Sequence, residues 1–303
     1  MSSVSLEDVK REIRNKGAKW STVERSLAAG LRSVPEISHK LGMTIPEEEL
    51  TRLRGAKQKI DFGRLSSKFA GTKQKLAGPV SAVDWRNFNG KNAVTSIKDQ
   101  KDCGSCVAFG VAATIESMAI IEHGDQYDLS EAELFFCAGP QAGAGPCPKG
   151  GWYPPQAFPY LKNNGVAEDE CFRYSDQQIP CNTCQDRDQQ AIHVTDTVEI
   201  MDVEDRKEYL RTYGPMIGGL WVYPDLMYYQ SGVYSHVTGN REGGHCIEVV
   251  GYDDNQSCWI CKNSWGADYG ENGFFRMAFN DNDCGMDTQF PFWGVIGIKR
   301  GNQ

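Results

Sequence analysis

The chain has 303 residues, 40% hydrophobic and 24% charged, which at roughly 150 residues per domain allows about two domains or one large one. No apolar run reaches the roughly 18 residues that cross a bilayer, and the polar opening MSSVSLEDVKREIRNK has no apolar run behind its positive charges, so neither a membrane span nor a secretory signal is expected in this chain. Residues 1–78 carry 16 Lys and Arg against 9 Asp and Glu, a net +7, whereas residues 79–303 carry 16 against 31, a net −15; the acidic bulk and a basic segment without interleaved aromatics argue against a nucleic-acid partner.

In chain order, residues 5–16 open with a Ser-x-x-Asp capping pattern and continue at helical spacing through Leu6, Val9 and Ile13. Residues 46–60 repeat the design, with a Pro start and acids in the first turn. Residues 66–79, SSKFAGTKQKLAGP, have the composition of an exposed linker. From Cys106 to Glu122 small or apolar residues occupy nearly every face, which predicts a helix buried inside a core. The segments IHVTDTVEIM, GPMIGGLWVY, HCIEVVGYDD, CWICKNSW and GFFRMAF then read as antiparallel strands. Helices followed by strands predict an α+β architecture with two halves meeting along a cleft.

All 11 cysteines lie at or beyond Cys103. That number favours an exported, disulfide-bonded protein, and its oddness leaves at least one thiol unpaired. Cys106 stands where a Gly-Ser turn feeds the buried helix, and amides at a helix start favour thiolate over thiol. His245, among glycines at the start of an apolar strand, is the histidine best placed to pair with it. Asn263 would accept the second imidazole N–H and set the tautomer, and Trp265 beside it would shield that bond from water.

At CGSC (103–106), EGGHCIEVVGY around His245 and KNSWG (262–266), the chain resembles the papain family of cysteine peptidases, the cathepsin-like enzymes. VDWR at 83–86, Gln100, LSEAELFFC at 129–137, PCPKGGW at 146–152 and GENGFFR at 270–276 extend the likeness over about residues 80–300. The resemblance implies a papain-like two-subdomain fold, with a helical half around a buried central helix and an antiparallel, barrel-like β half. Residues 79–303 would form the peptidase domain, and residues 1–78 a small, mainly helical inhibitory propeptide with its linker that occludes the cleft; whether residues 60–79 run through it is left to the structure. It further implies Cys106 as nucleophile, His245 as general base and acid, Asn263 as orienting residue and Gln100 as side-chain donor of the oxyanion hole.

By the same resemblance the backbone of Gly150 and Gly151 would bond an extended substrate, and Trp152, Cys246 and Gln289 would border the pocket for the residue two before the cut. A neutral Gln at that pocket's floor predicts apolar or aromatic preference there. No insertion with paired histidines follows Gly151, which favours endopeptidase action. Val107 and Gly244 depart from the family pattern, removing a large shield after the nucleophile and a polar neighbour of the histidine. The resemblance pairs Cys103 with Cys147 and Cys137 with Cys181. A Cys171–Cys184 bridge is then plausible, though no motif supports it, and Cys284 is left to Cys258 or Cys261. Expected partners are peptide substrates and the chain's own propeptide, with the protein a monomer in a secreted or lysosomal/vacuolar-type compartment, needing no metal or cofactor. The alternatives are a catalytically silent peptide-binding relative and, from three CxxC pairs, a thiol–disulfide or zinc protein.

Overall fold

A computed structural model describes residues 4–23, 38–55, 59–67, 69, 80–148 and 150–301. Helix α1, Leu6–Lys16, opens on the anticipated capping box: the Ser5 hydroxyl accepts the Asp8 N–H at 3.2 Å while the Asp8 carboxylate accepts the Ser5 N–H. Strand β1, Trp20–Thr22, follows. Helix α2, Glu47–Gly55, is shorter than the charge pattern over 46–60 suggests. Helix α3, Phe62–Ser66, was not signalled by periodicity; Asp61 caps it, and Phe62 and Phe69 pack on the two sides of Tyr213. The linker expected over 66–79 lies largely outside the described residues.

Strand β2, Ala82–Asp84, precedes the long helix α4, Cys106–His123. By composition α4 is apolar enough to span a bilayer, yet it lies inside the core with most of its residues buried. A π-helical stretch, Glu133–Ala138, and α5, Phe158–Asn163, complete the helical half. The β half comprises β3, Ile192–Ile200; α6, Val203–Thr212; β4, Met216–Val222; β5, Tyr229–Tyr234; β6, Gly243–Asp253; β7, Cys258–Lys262; β8, Phe274–Ala278; and β9, Phe292–Arg300. Sheet order is β1-β5-β8-β7-β6-β4-β9-β3, with β2 on β6. All five anticipated strands are present. The pairings β4–β6, β6–β7, β7–β8 and β3–β9 are antiparallel, as expected, and β8 also pairs in parallel with the unanticipated β5. Strand β9 escaped the sequence reading because both its faces are covered through Ile298, leaving no polar alternation to mark it.

Buried polar groups tie the halves together. Ser117 on α4 donates to Glu248 on β6 at 2.6 Å, and Lys262 on β7 donates to Thr95 at 2.9 Å. Glu122 accepts the Gly297 and Ile298 N–H groups, both at 2.9 Å, anchoring α4 to β9. Disulfides join Cys103 to Cys147, Cys137 to Cys181 and Cys171 to Cys184. None of the three CxxC pairs closes on itself. Cys284 is bonded neither to Cys258 nor to Cys261, contrary to expectation; all three are buried thiols. Its backbone is pinned to β4, the Trp221 N–H donating to Cys284 O at 2.8 Å. Strand β6 lies between β4 and β7, so the bridge would have to cross about two strand spacings.

Candidate active site

Cys106 begins α4 and is fully buried. Ser105 caps the helix without its side chain accepting a helix N–H; its hydroxyl lies 3.4 Å from Cys103 O and 2.7 Å from the Tyr174 hydroxyl, which also donates to Gln100 O at 2.9 Å. Tyr174 therefore joins the loop bearing Gln100 to the turn before Cys106. Across the cleft, His245 lies on β6. Asn263, just beyond β7, has an Oδ1 that accepts the Ser264 N–H at 2.8 Å and lies 2.8 Å from His245 Nε2. Since that oxygen can only accept, Nε2 carries the ring proton and Nδ1 keeps its lone pair for the sulfur side. Nδ1 is buried without a hydrogen-bond partner. The Trp265 ring lies 4.7 Å from the imidazole, covering the His245–Asn263 bond.

Gln100 is oriented from its oxygen. The Ser264 hydroxyl donates to Gln100 Oε1 at 2.7 Å, which turns Nε2 toward the helix start. There Nε2 donates to Cys103 O at 2.8 Å and to Lys40 O at 2.9 Å. The donor expected to serve an oxyanion is thus occupied by a carbonyl from the N-terminal segment.

That segment fills the cleft. The Met43 N–H donates to Gly244 O at 3.1 Å, Gly42 O accepts the Trp152 N–H at 2.9 Å, and the Thr44 N–H donates to Trp152 O at 3.1 Å. A Cβ on Gly42 would overlap the Gly104 carbonyl, so only glycine passes the turn before Cys106 here. The Met43 thioether abuts Gly219 beside the Phe290 ring. Residues 40–44 therefore occupy the cleft, and residues 70–79 lie outside the described residues. The described residues among 60–69 lie instead on α6 and the Tyr213 after it: the Ile60 N–H donates to Asp205 at 3.2 Å, and Ser66 Oγ is 2.7 Å from Tyr213 Oη.

The pocket residues shift in the same way. Extended-chain pairing is made by the Trp152 backbone, one residue beyond the Gly150–Gly151 pair. Gly150 and Gly151 leave room for Gly104 and Thr44. Cys246 turns its thiol onto Gly110 of α4, and Gln289 accepts the Trp221 indole N–H at 2.8 Å. The surface facing the Met43 side chain is Gly219 and Phe290, which no motif had singled out. A Gly-Gly pair in β4 beside an apolar loop residue was the available signal.

Burial dominates the electrostatics. It pushes the Cys106 thiol up to about 11, although backbone N–H groups of Cys246, Gly42 and Val107 act the other way. It also lowers His245 to about 4, against the Asn263 hydrogen bond and helped by the Lys40 ammonium. The thiolate favoured by the helix start is therefore disfavoured in the uncut chain, because burial leaves no water to solvate the charge.

A sequence profile described as "Papain family cysteine protease" matches residues 79–292. Among similar proteins, Cathepsin B-like CP2 of Giardia intestinalis is 34% identical over 210 residues, 65% of this chain and 69% of that one. Cathepsin S of Rattus norvegicus is 30% identical over 291 residues, 92% of this chain and 84% of its own. The solved proCathepsin B S9 from Trypanosoma congolense superposes with a TM-score of 0.76 at 24% identity, covering 99% of this chain and all of that one. The chain belongs to the papain family. It is a cysteine endopeptidase in zymogen form, with a propeptide segment on the same chain; a catalytically silent relative is not favoured.

Proposed function

We propose that Cys106 attacks the scissile carbonyl of an extended peptide, that His245 transfers the proton to the leaving amine, and that Asn263 holds the imidazole. Gln100 Nε2 and the Cys106 N–H would stabilise the oxyanion before water resolves the thioester. The observation that carries this reading is the Gln100–Lys40 hydrogen bond of 2.9 Å, a backbone carbonyl already received where a substrate carbonyl would be. An epoxide-type thiol-directed peptide inhibitor tests it: after acidification, stoichiometric labelling at Cys106 supports the assignment, and absence of labelling overturns it. Replacing Gln100 with alanine should lower kcat on the order of 100-fold with little change in KM. Steady-state kinetics on a short fluorogenic peptide read this, and an unaltered kcat would remove Gln100 from the oxyanion hole.

Residues 1–78 act as the intramolecular inhibitor, with the boundary to the peptidase domain near residue 79, in a secreted or lysosomal/vacuolar-type compartment. Three disulfides support the compartment. The basic segment meets the acidic domain directly where Arg52 makes two 2.8 Å contacts to Glu199.

Acid opens this latch. Burial holds His245 down near 4 in the closed cleft, so the open form, where water reaches the ring, takes up the proton more readily. Closure therefore weakens as pH falls toward 4 and levels off below it. Self-processing should accelerate across that window, and also with salt, which screens Arg52–Glu199. Time courses of propeptide loss at several pH and salt values check this; a flat profile would contradict the latch.

The packing of Met43 against Gly219 and Phe290 favours apolar or aromatic side chains two residues before the cut. Peptide libraries should show methionine, leucine or phenylalanine leading there. A dominant arginine would refute the pocket.

A further inference from the structure

The propeptide holds a second place on the enzyme, away from the cleft. Residues 19–23 lie along the edge of β5: Trp20 faces Gly232 and Ser21 faces Ser231 in antiparallel register. The Val233 N–H donates to Lys19 O at 3.0 Å, and the Val23 N–H donates to Tyr228 O at 2.9 Å. Trp20 is the anchor. It is 5% exposed, its ring lies 5.0 Å from Tyr234 and 6.2 Å from Tyr229, and its indole N–H donates to Ser235 O at 3.0 Å. Gly232, at φ 99°, permits the approach, since a Cβ there would lie 2.7 Å from Trp20 Cα.

Strand β1 ends the sheet. Removing residues 1–78 therefore uncovers the β5 edge beside an aromatic notch, with the Val233 N–H and the Tyr228 and Ser235 carbonyls released from their partners. Such an edge is a template for an added strand, and the notch selects its side chain.

We propose that in the matured enzyme this edge is an exosite that recruits protein substrates through an extended segment carrying tryptophan followed by small polar residues. The proposal rests on the zymogen reading. The chain itself reaches both places at once through residues 24–39, so a substrate with a linker of that length can do the same and gain effective concentration at the cleft.

The test uses enzyme matured from the full chain and two fluorogenic substrates sharing one scissile sequence. Each carries, through a flexible linker of about 20 residues on either terminus, the hexapeptide of residues 18–23, Ala-Lys-Trp-Ser-Thr-Val, or its analogue with Ala for Trp. The Trp substrate should show kcat/KM at least about tenfold higher, through KM alone. Free acetylated hexapeptide should erase the gain without slowing cleavage of the bare scissile peptide. Gly232→Val should cancel the gain as well, and if that variant does not fold the competition still decides. Equal kcat/KM for the two substrates, or a gain that free hexapeptide leaves intact, overturns the exosite. Failure to cleave the bare peptide would instead strike the peptidase reading.

Discussion

Gly42→Ala opens the uncut chain. A methyl group at this position overlaps the Gly104 carbonyl, and neither backbone can yield, because Gly42 is held by the Trp152 N–H at 2.9 Å and the Gly104 N–H donates to Pro148 O at 2.8 Å. Clashes of this kind cost about 3 kcal/mol or more, enough to raise the open population on the order of a hundred-fold. Alkylation of Cys106 in the full-length chain at neutral pH, mapped by peptide mass, should accelerate by that factor. Matured enzyme from the same variant should be unchanged, since residue 42 leaves with the propeptide. Alkylation at the wild-type rate would place the latch elsewhere, with Arg52–Glu199 or the β1–β5 edge as the remaining contacts.

Cys106→Ala gives the largest loss. Without the sulfur no thioester forms, and removing the nucleophile from a catalytic triad typically costs on the order of a million-fold in kcat. The variant should fold, because Cys106 belongs to none of the three disulfides and alanine suits the first turn of a helix. It should therefore accumulate as an uncut chain under acid, and the added wild-type enzyme should then trim it. Self-processing within tenfold of wild type would mean that another group performs the chemistry.

These two expectations separate what each half of the chain supplies. The peptidase half was legible in unusual detail. Cys106, His245 and Asn263 carry side chains whose chemistry is specific, and the turn before Cys106 and the glycines around His245 mark where strands and helix begin. The helix from Cys106 was visible because its residues are small or apolar on every side, and it ends at His123 with Gly124 in the left-handed region.

The propeptide was legible only locally. The capping box at Ser5 and Asp8 located α1, but nothing in the segment signalled that Gly42 and Met43 enter the cleft. Their fit depends on Gly104, Trp152, Gly244 and Gly219, which lie more than 60 positions away in sequence. Helix α3 stayed hidden for the same reason, since Phe62 and Phe69 find their partner in Tyr213.

Residue type and order alone determined the reaction class, the halves of the site and the division of charge at residue 78. Only the tertiary structure decided which carbonyl Gln100 Nε2 receives, which residues face the Met43 side chain, and why Cys284 stays a thiol. It also reversed the expected ionisation of the nucleophile. A helix start favours thiolate, but in the uncut chain Cys106 is fully buried, and burial is the larger effect.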